Sequence, residues 1–264
     1  MVPVSSIILM ALGAVIGVAL PILMAVWLVK KYHVSPATIV VGALVFIVFA
    51  LGLESVVHQI VLKGPKGPEI VGNIWLYALY GAGMAALFEE TGRFVAMKWV
   101  LKQAPGKPKT GVAYGFGHGG IEMFMLFGIA MISNIVISLM INAGKTDLLL
   151  ATVQPDALEQ AQTQLDALQN ITAAGLGWSM LERFSAVLLQ VSISVMMWMC
   201  VRKRGKWLWL IPAMYLVHFL ADAIVVVIAK NATIAATEII LLCLSLAIGA
   251  AALLLSRRFN NLST

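Results

Sequence analysis

Long apolar stretches constrain this chain more than any other feature of its sequence. Hydrophobic residues make up 61% of the 264 residues and charged residues 11%, whereas soluble domains are roughly 45–50% apolar and about 25% charged. Each stretch reaches the ~20 residues that an α-helix needs to cross a bilayer. We therefore predict an all-α polytopic membrane protein, folded as a single transmembrane helical domain over residues 1–264. The seven predicted spans are Ser6–Val29, Ala37–Leu62, Ile70–Leu101, Gly111–Ile141, Leu176–Val201, Trp207–Ala229 and Ala235–Leu255.

The basic residues of the loops predict how the chain is oriented. By the positive-inside rule, the connections richest in Lys and Arg face the cytoplasm. Their distribution predicts an N-terminus outside the cell and a cytoplasmic C-terminus. The short loops fit a bacterial cytoplasmic membrane. The distribution of basic residues also accounts for the net charge of +6 without a nucleic-acid partner. The predicted cytoplasmic set is Lys30, Lys31, Lys98, Lys102, Lys107, Lys109, Arg202, Lys203, Arg204, Lys206, Arg257 and Arg258, against Lys63, Lys66, Lys145 and Lys230 on the other side.

One connection, at about residues 142–175, is longer than the others and is predicted to lie on the extracytoplasmic side. Pro155 can open a short helix there. Leu158, Leu165 and Leu168 then share one helix face. The pattern predicts an amphipathic helix that packs on the outer surface of the bundle.

Eleven ionisable side chains remain inside the predicted spans. A charge at the centre of a membrane helix costs roughly 2.5–3.5 kcal/mol on insertion scales. Such groups therefore pair with one another or serve a function. Several are four residues apart, which places both members on one face of a helix. These pairs are Glu89 with Arg93, His118 with Glu122, His218 with Asp222, and Glu54 with His58.

Depth in the membrane divides these side chains into two predicted clusters. Glu89, Glu90 and His118 fall in the cytoplasmic halves of the third and fourth spans, while His218 and Asp222 fall near the middle of the sixth. We predict that these five form the functional site. The second cluster, in the outer halves of the second and fifth spans, is predicted to be structural and consists of Glu54, His58, Glu182 and Arg183.

The first cluster has the residue types of a hydrolytic site. Two histidines and a glutamate can hold zinc and leave a position for water, and a second carboxylate can then act as general base. His118, His218 and Glu122 are the predicted ligands in that case. Without a metal, a buried glutamate can itself activate water against a peptide bond, while other side chains stabilise an oxyanion. Both alternatives predict hydrolysis.

Three short motifs resemble those of one clan of intramembrane proteases, which includes the CAAX prenyl proteases, bacteriocin-processing proteases and PrsW-like proteases. Glu89-Glu90-Thr-Gly-Arg93 is similar to the EExxR-type motif of that clan. Tyr114-Gly-Phe-Gly-His118 looks like its second motif, and His218-Phe-Leu-Ala-Asp222 looks like its third. The sequence around His118 most resembles the YhfC family of membrane peptidases, and the resemblance extends from the third span to the seventh.

The resemblance implies roles for the acidic motif. Glu89 would be the water-activating base or a metal-linked carboxylate. Glu90 would be its partner, and Arg93 would orient the pair. Arg93 lies one residue earlier than in most CAAX-type members, which departs from the pattern for prenylated substrates.

The resemblance also implies roles for the two histidines. His118 would assist water activation or bind metal. His218 and Asp222 would complete the site by metal binding or by stabilising an oxyanion, although CAAX-type members often have Asn where this chain has Asp222. Glu122 lies outside the three motifs and could be a ligand or a partner to His118.

Two other functional classes use the same buried groups. Chains of buried Glu and His also relay protons in carriers, although the sequence shows no inverted repeat of the kind that many transporters have. A non-catalytic membrane scaffold is the other alternative. We favour a protease whose substrate is a membrane-embedded or membrane-anchored peptide, with the lipid bilayer as its surroundings.

Overall fold

A computed structural model of the chain describes residues 1–151, 153–203 and 205–261. Within these ranges the chain is helical and contains no β-strand, so the predicted all-α class is confirmed. The helices are α1 (Val4–Tyr32), α2 (Pro36–Leu62), α3 (Gly67–Gly72), α4 (Ile74–Val95), α5 (Pro108–Asn142), α6 (Thr146–Leu150), α7 (Leu158–Gln169), α8 (Ala173–Lys203), α9 (Ile211–Asn231) and α10 (Ile234–Asn261).

Six helical segments among the described residues are long and apolar enough to cross a membrane. They correspond to the predicted spans except the third, and they confirm a multi-pass membrane protein. The exception is α4, a helix of 22 residues continued by five more in the turn Ala96–Val100. This helix is about as long as the shorter of the six spans, but Glu89, Glu90 and Arg93 make it less apolar.

The third predicted span begins four residues later than expected. Residues from Gly67 to Gly72 form the separate short helix α3, and an extended residue, Asn73, separates it from α4. The Asn73 side chain accepts hydrogen bonds from the backbone N–H groups of Trp75 at 2.9 Å and Leu76 at 3.3 Å. These bonds satisfy two of the N–H groups that a helix start leaves without partners. The cap therefore fixes where α4 begins.

Helix α8 is the central helix of the bundle. Of its most apolar stretch, 72% is buried, against 17% to 28% in the other five spans. It packs mainly on α5 and α10, while α2 packs on α5 and α4 packs on α9. The side chains of α8 therefore face other helices on nearly all sides, whereas the other spans present broad apolar faces outward, toward the lipid.

Two glycines allow α5 to approach its neighbours at backbone contact. A Cβ atom on Gly115 would lie 2.6 Å from Cα of Val191 on α8, and one on Gly117 would lie 1.9 Å from the backbone oxygen of Ile39 on α2. Any side chain at these positions would force the helices apart. Small residues serve the same purpose at many membrane helix interfaces. The glycines thus place His118 of α5 deep between three helices.

The predicted amphipathic helix in the long connection is present as α7, after a short helical turn that begins at Pro155. Leu165 and Leu168 are buried in one apolar cluster with Met10 and Met131 from the ends of α1 and α5. Leu158, at the start of α7, is instead 40% exposed. The helix thus packs on the bundle through its second half only.

Wider, π-helical turns occur at three places among the described residues. They are Phe46–Glu54 within α2, Ala96–Val100 directly after α4, and Phe124–Gly128 within α5. Such turns are rare and are often found at functional sites, because the extra residue changes the direction of nearby side chains. Glu54 ends the first of them, and Glu122 lies two residues before the third.

Candidate active site

Glu89 lies at the centre of a buried polar cluster formed by α4, α5, α8 and α9. Its Oε2 atom is 2.9 Å from Nε2 of His118 and accepts a hydrogen bond of 2.8 Å from Nε2 of Gln190. Nη2 of Arg93 and Nε2 of His218 are each 4.0 Å from the same oxygen. Both hydrogen bonds that the described side chains make with Glu89 are therefore on Oε2.

A second acidic group, Glu90, holds the other histidine. Its Oε1 atom is 2.7 Å from Nδ1 of His218, and the same oxygen accepts a hydrogen bond from Nη1 of Arg93. Glu90 and Arg93 are both 0% exposed. Removing two charges from solvent is costly unless they are paired at good geometry. Loss of either Glu90 or Arg93 would therefore leave the other as an unpaired buried charge.

The ring of His118 is fixed on both sides. Phe46 packs against it edge-on at 5.2 Å between ring centroids, and Tyr114 stacks on it at 6.2 Å. An ionised carboxylate only accepts hydrogen bonds, so Nε2 of His118 carries the hydrogen that it shares with Glu89. Nδ1 of His118 is buried and has no hydrogen-bond partner among the described residues.

His218 lies among three carboxylates. In addition to Glu90 and Glu89, its Nε2 atom is 3.4 Å from Oδ2 of Asp222 on the same helix. The Asp222 side chain is 37% exposed, whereas that of His218 is only 3% exposed. Asp222 thus connects the buried cluster with the more open part of the site.

Gln190 is the functional candidate that sequence reasoning missed. It is 4% exposed on α8. Its amide nitrogen donates to Glu89 and, at 3.0 Å, to Oε2 of Glu122, while its amide oxygen accepts from Nη2 of Arg93. Gln190 is uncharged, so a search for ionisable residues passes over it. Its position in the apolar run Ala186–Val195 could have identified it, because polar side chains in membrane helices need partners.

The predicted second cluster separates in the structure. Glu54 and His58 are 3.0 Å apart, and the second nitrogen of His58 is 2.9 Å from the hydroxyl of Tyr80 on α4. Arg183 instead pairs with its neighbour Glu182 and lies 3.6 Å from Oε1 of Glu122. Glu54 is also close enough to Glu89 and His218 to interact with them electrostatically.

A cavity of about 320 Å³ lies beside Glu89. Its volume is at the lower end of the roughly 300–1,000 Å³ of small-molecule sites in proteins. Apolar residues of α4, α8 and α9 form much of its wall. The polar residues that line it are Tyr77, Glu89, Glu122, Glu182, Arg183, Gln190, His218 and Asp222.

A family model described as YhfC intramembrane metalloprotease matches residues 16–241 of the chain. The chain belongs to this family. A relative from Bacillus subtilis (strain 168), described as an uncharacterized membrane protein YhfC, is 34% identical over 208 residues, which cover 77% of this chain and 78% of the relative. No solved structure matches the chain. The three motifs around Glu89, His118 and His218 all fall inside the matched range.

The name of the YhfC family implies a metal, and the predicted ligands can be tested against the geometry. His118 donates its Nε2–H to Glu89, as a metal-bound histidine does through its non-ligating nitrogen, and its Nδ1 has no hydrogen-bond partner among the described residues. Glu122 is held by Gln190 and Arg183. Across the described ranges, no three or more His, Cys, Asp or Glu side chains are grouped so that they could hold a metal ion. The side chains as arranged do not fit a three-ligand zinc site.

Proposed function

We propose that this chain is an intramembrane protease in which Glu89 activates water. One observation carries the proposal: both hydrogen bonds from described side chains to Glu89 are on Oε2, while Glu89 also lines the cavity. Oε1 is therefore left to accept a proton from a water molecule there. A general base needs such a held carboxylate within hydrogen-bond reach of its water.

The proposed reaction uses the side chains of the chain alone. Oε1 of Glu89 takes one proton from water, and the oxygen of that water attacks the carbonyl carbon of the peptide bond. The resulting tetrahedral intermediate breaks its C–N bond as the proton passes from Glu89 to the leaving nitrogen. His118 keeps Glu89 in place through its Nε2–H, and Gly115 and Gly117 allow its helix to come close enough to do so.

His218 is the proposed stabiliser of the negative oxygen of the intermediate. A ring with hydrogen on both nitrogens can donate to Glu90 through Nδ1 and to a substrate oxygen through Nε2. Nε2 faces Asp222 and Glu89 at the cavity. Donors fixed in advance toward a developing charge contribute strongly to catalysis in sites shielded from water.

The substrate is proposed to be a membrane-embedded or membrane-anchored peptide. The cavity lies between membrane helices, and the long connection contributes a packed cap rather than an extended recognition domain. From the predicted orientation, we propose that cleavage occurs toward the cytoplasmic face. Product termini that map to the outer face would contradict this position.

The proposal is tested with purified protein in liposomes that also contain a membrane-peptide fraction from the host. New peptide termini are identified by mass spectrometry for the wild type, for Glu89→Gln and for the control Glu69→Gln, an exposed position on α3. We expect new termini with the wild type and the control, and none with Glu89→Gln. If the wild type yields no new termini but carries a proton flux that Glu89→Gln abolishes, the chain is a carrier and the protease proposal is wrong.

A further inference from the structure

Gln190 occupies a position that neither the sequence motifs nor the proposed reaction assigns. It is on α8, the central helix, and it contacts side chains from α4 and α5 at once. Its amide oxygen and its amide nitrogen have different partners. The chemistry of those partners determines how the amide must be oriented.

Arg93 fixes the orientation of the amide. A guanidinium group has five donors and no acceptor, so the atom of Gln190 that faces Arg93 must be the oxygen. The NH2 group must then face Glu89 and Glu122, at 2.8 Å and 3.0 Å. The choice between oxygen and nitrogen, which is often ambiguous for an amide, is thus settled by the partners.

This orientation of the amide requires both Glu89 and Glu122 to accept a hydrogen bond from it. A nitrogen that donates two hydrogens requires two acceptors, so Oε2 of Glu89 and Oε2 of Glu122 must both be free of hydrogen. His118 adds a second donor to Oε2 of Glu89 at 2.9 Å. A proton that Glu89 takes up during a reaction is therefore directed to Oε1, the oxygen left without these contacts.

We infer that Gln190 is a positioning residue for Glu89: its amide, oriented by Arg93, donates to Glu89 and Glu122 together and leaves Oε1 of Glu89 as the proton-accepting atom. The inference rests on the proposed function for its catalytic meaning. The orientation of the carboxylate can be tested without a substrate.

Two variants of similar size test the hydrogen bonds of the amide oxygen and those of the amide nitrogen separately. Gln190→Glu keeps an oxygen for Arg93 and loses the donors to Glu89 and Glu122, whereas Gln190→Leu loses all three contacts. Ser185→Ala is the matched control, because Ser185 is also buried on α8 and, among the described residues, its hydroxyl bonds to the Leu181 carbonyl of its own helix. If Gln190→Leu does not fold, Gln190→Glu still tests the proposal.

The first readout is the rate at which dicyclohexylcarbodiimide labels Glu89 in detergent, measured by mass spectrometry. This reagent reacts with protonated carboxyl groups in apolar surroundings. Loss of the amide donors removes stabilisation of the ionised form, so we expect several-fold faster labelling of Glu89 in Gln190→Leu and an unchanged rate in Ser185→Ala. Labelling of Glu89 at the wild-type rate in both Gln190 variants would overturn the inference, whether or not the protein cleaves peptides.

The second readout uses a peptide that the wild type cleaves. Misplacement of a catalytic group by about 1 Å can lower a rate by roughly 100-fold, so we expect kcat of Gln190→Glu to fall by about that factor while KM stays unchanged. The swapped variant Gln190→Glu/Glu122→Gln gives residue 190 a donor partner but returns no donor to Glu89, so its kcat should stay low. A rise in KM with kcat intact would count against a positioning role.

Discussion

Two Glu–His pairs in this bundle use the same residue types in different surroundings. Glu89 and His118 come from two helices and are 2.9 Å apart, whereas Glu54 and His58 are one turn apart on α2 at 3.0 Å. The His118 side chain is fully buried, and that of His58 is 30% exposed. The distance between the partners therefore does not distinguish the two pairs.

The two pairs differ in their other hydrogen bonds and in whether they line the cavity. His58 uses one nitrogen for Glu54 and the other for Tyr80, and none of these three is among the described residues that line the cavity. Glu89 receives its contacts on one oxygen and lines the cavity. A carboxylate that is held beside a cavity is suited to chemistry, while a histidine with both ring nitrogens in hydrogen bonds is suited to holding helices together.

The largest expected difference between the pairs is in activity. His118 holds the proposed base Glu89 in place, and misplacement of a catalytic group by about 1 Å can lower a rate by roughly 100-fold. We expect His118→Ala to lower peptide cleavage by about 100-fold and His58→Ala to change it only slightly. Initial cleavage rates in liposomes check this. Equal losses in both variants would mean that the two pairs are one functional unit.

The next largest effect is on stability. Arg93→Leu leaves Glu90 buried without its charged partner, and breaking a buried ion pair in this way typically costs about 3–5 kcal/mol. Tyr80→Phe removes one polar contact between α2 and α4, and such contacts in membranes average about 0.6 kcal/mol. Unfolding in mixed micelles with increasing sodium dodecyl sulfate would measure both. A cost for Arg93→Leu no larger than for Tyr80→Phe would argue against a buried charge pair.

A packing variant sharpens the comparison, because it moves His118 without changing any polar group. Gly117→Ala would place Cβ 1.9 Å from the Ile39 oxygen, whereas a Cβ on Gly83 meets nothing within 4 Å. Overpacking typically costs about 1–3 kcal/mol. We expect Gly117→Ala to unfold earlier and to cleave more slowly, and Gly83→Ala to resemble the wild type in both assays.

The smallest expected effect is that of metal removal. Because the described side chains do not form a three-ligand group, we expect a chelator to leave cleavage within about twofold of the untreated rate, a change of under ~0.5 kcal/mol. Metal content of the purified wild type is measured alongside the His118→Ala/His218→Ala variant. Loss of activity on chelation, with one zinc per chain that the double variant lacks, would show that the side chains rearrange around a metal.

Much of the site could be predicted from residue spacing. Glu89, Glu90, His118, His218 and Asp222 were predicted as one cluster, and the structure brings them into contact with one another. Of the five, Glu89, His218 and Asp222 line the cavity. Their spacing works as a signal because charges are scarce in membrane helices. The catalytic roles of these residues remain a proposal.

Other contacts could not be predicted, because they depend on which helices are neighbours. His118 and Glu122 share a helix face, yet the first bonds to Glu89 and the second to Gln190. Arg183 was assigned to the outer cluster but lies at the same cavity as Glu89. Spacing along one helix does not reveal which side chain of another helix lies opposite.

The sequence by itself determined that this chain crosses a membrane repeatedly, because apolar runs of this length can be buried only in a bilayer. It also determined which helices carry ionisable groups. Only the tertiary structure decided that α8 is central, that Gln190 connects Arg93 with two carboxylates, and that Glu89 is held by hydrogen bonds on Oε2 beside a cavity. The physical reason is that hydrophobicity is a property of each segment, whereas hydrogen-bond partners depend on the close approach of helices far apart in the chain.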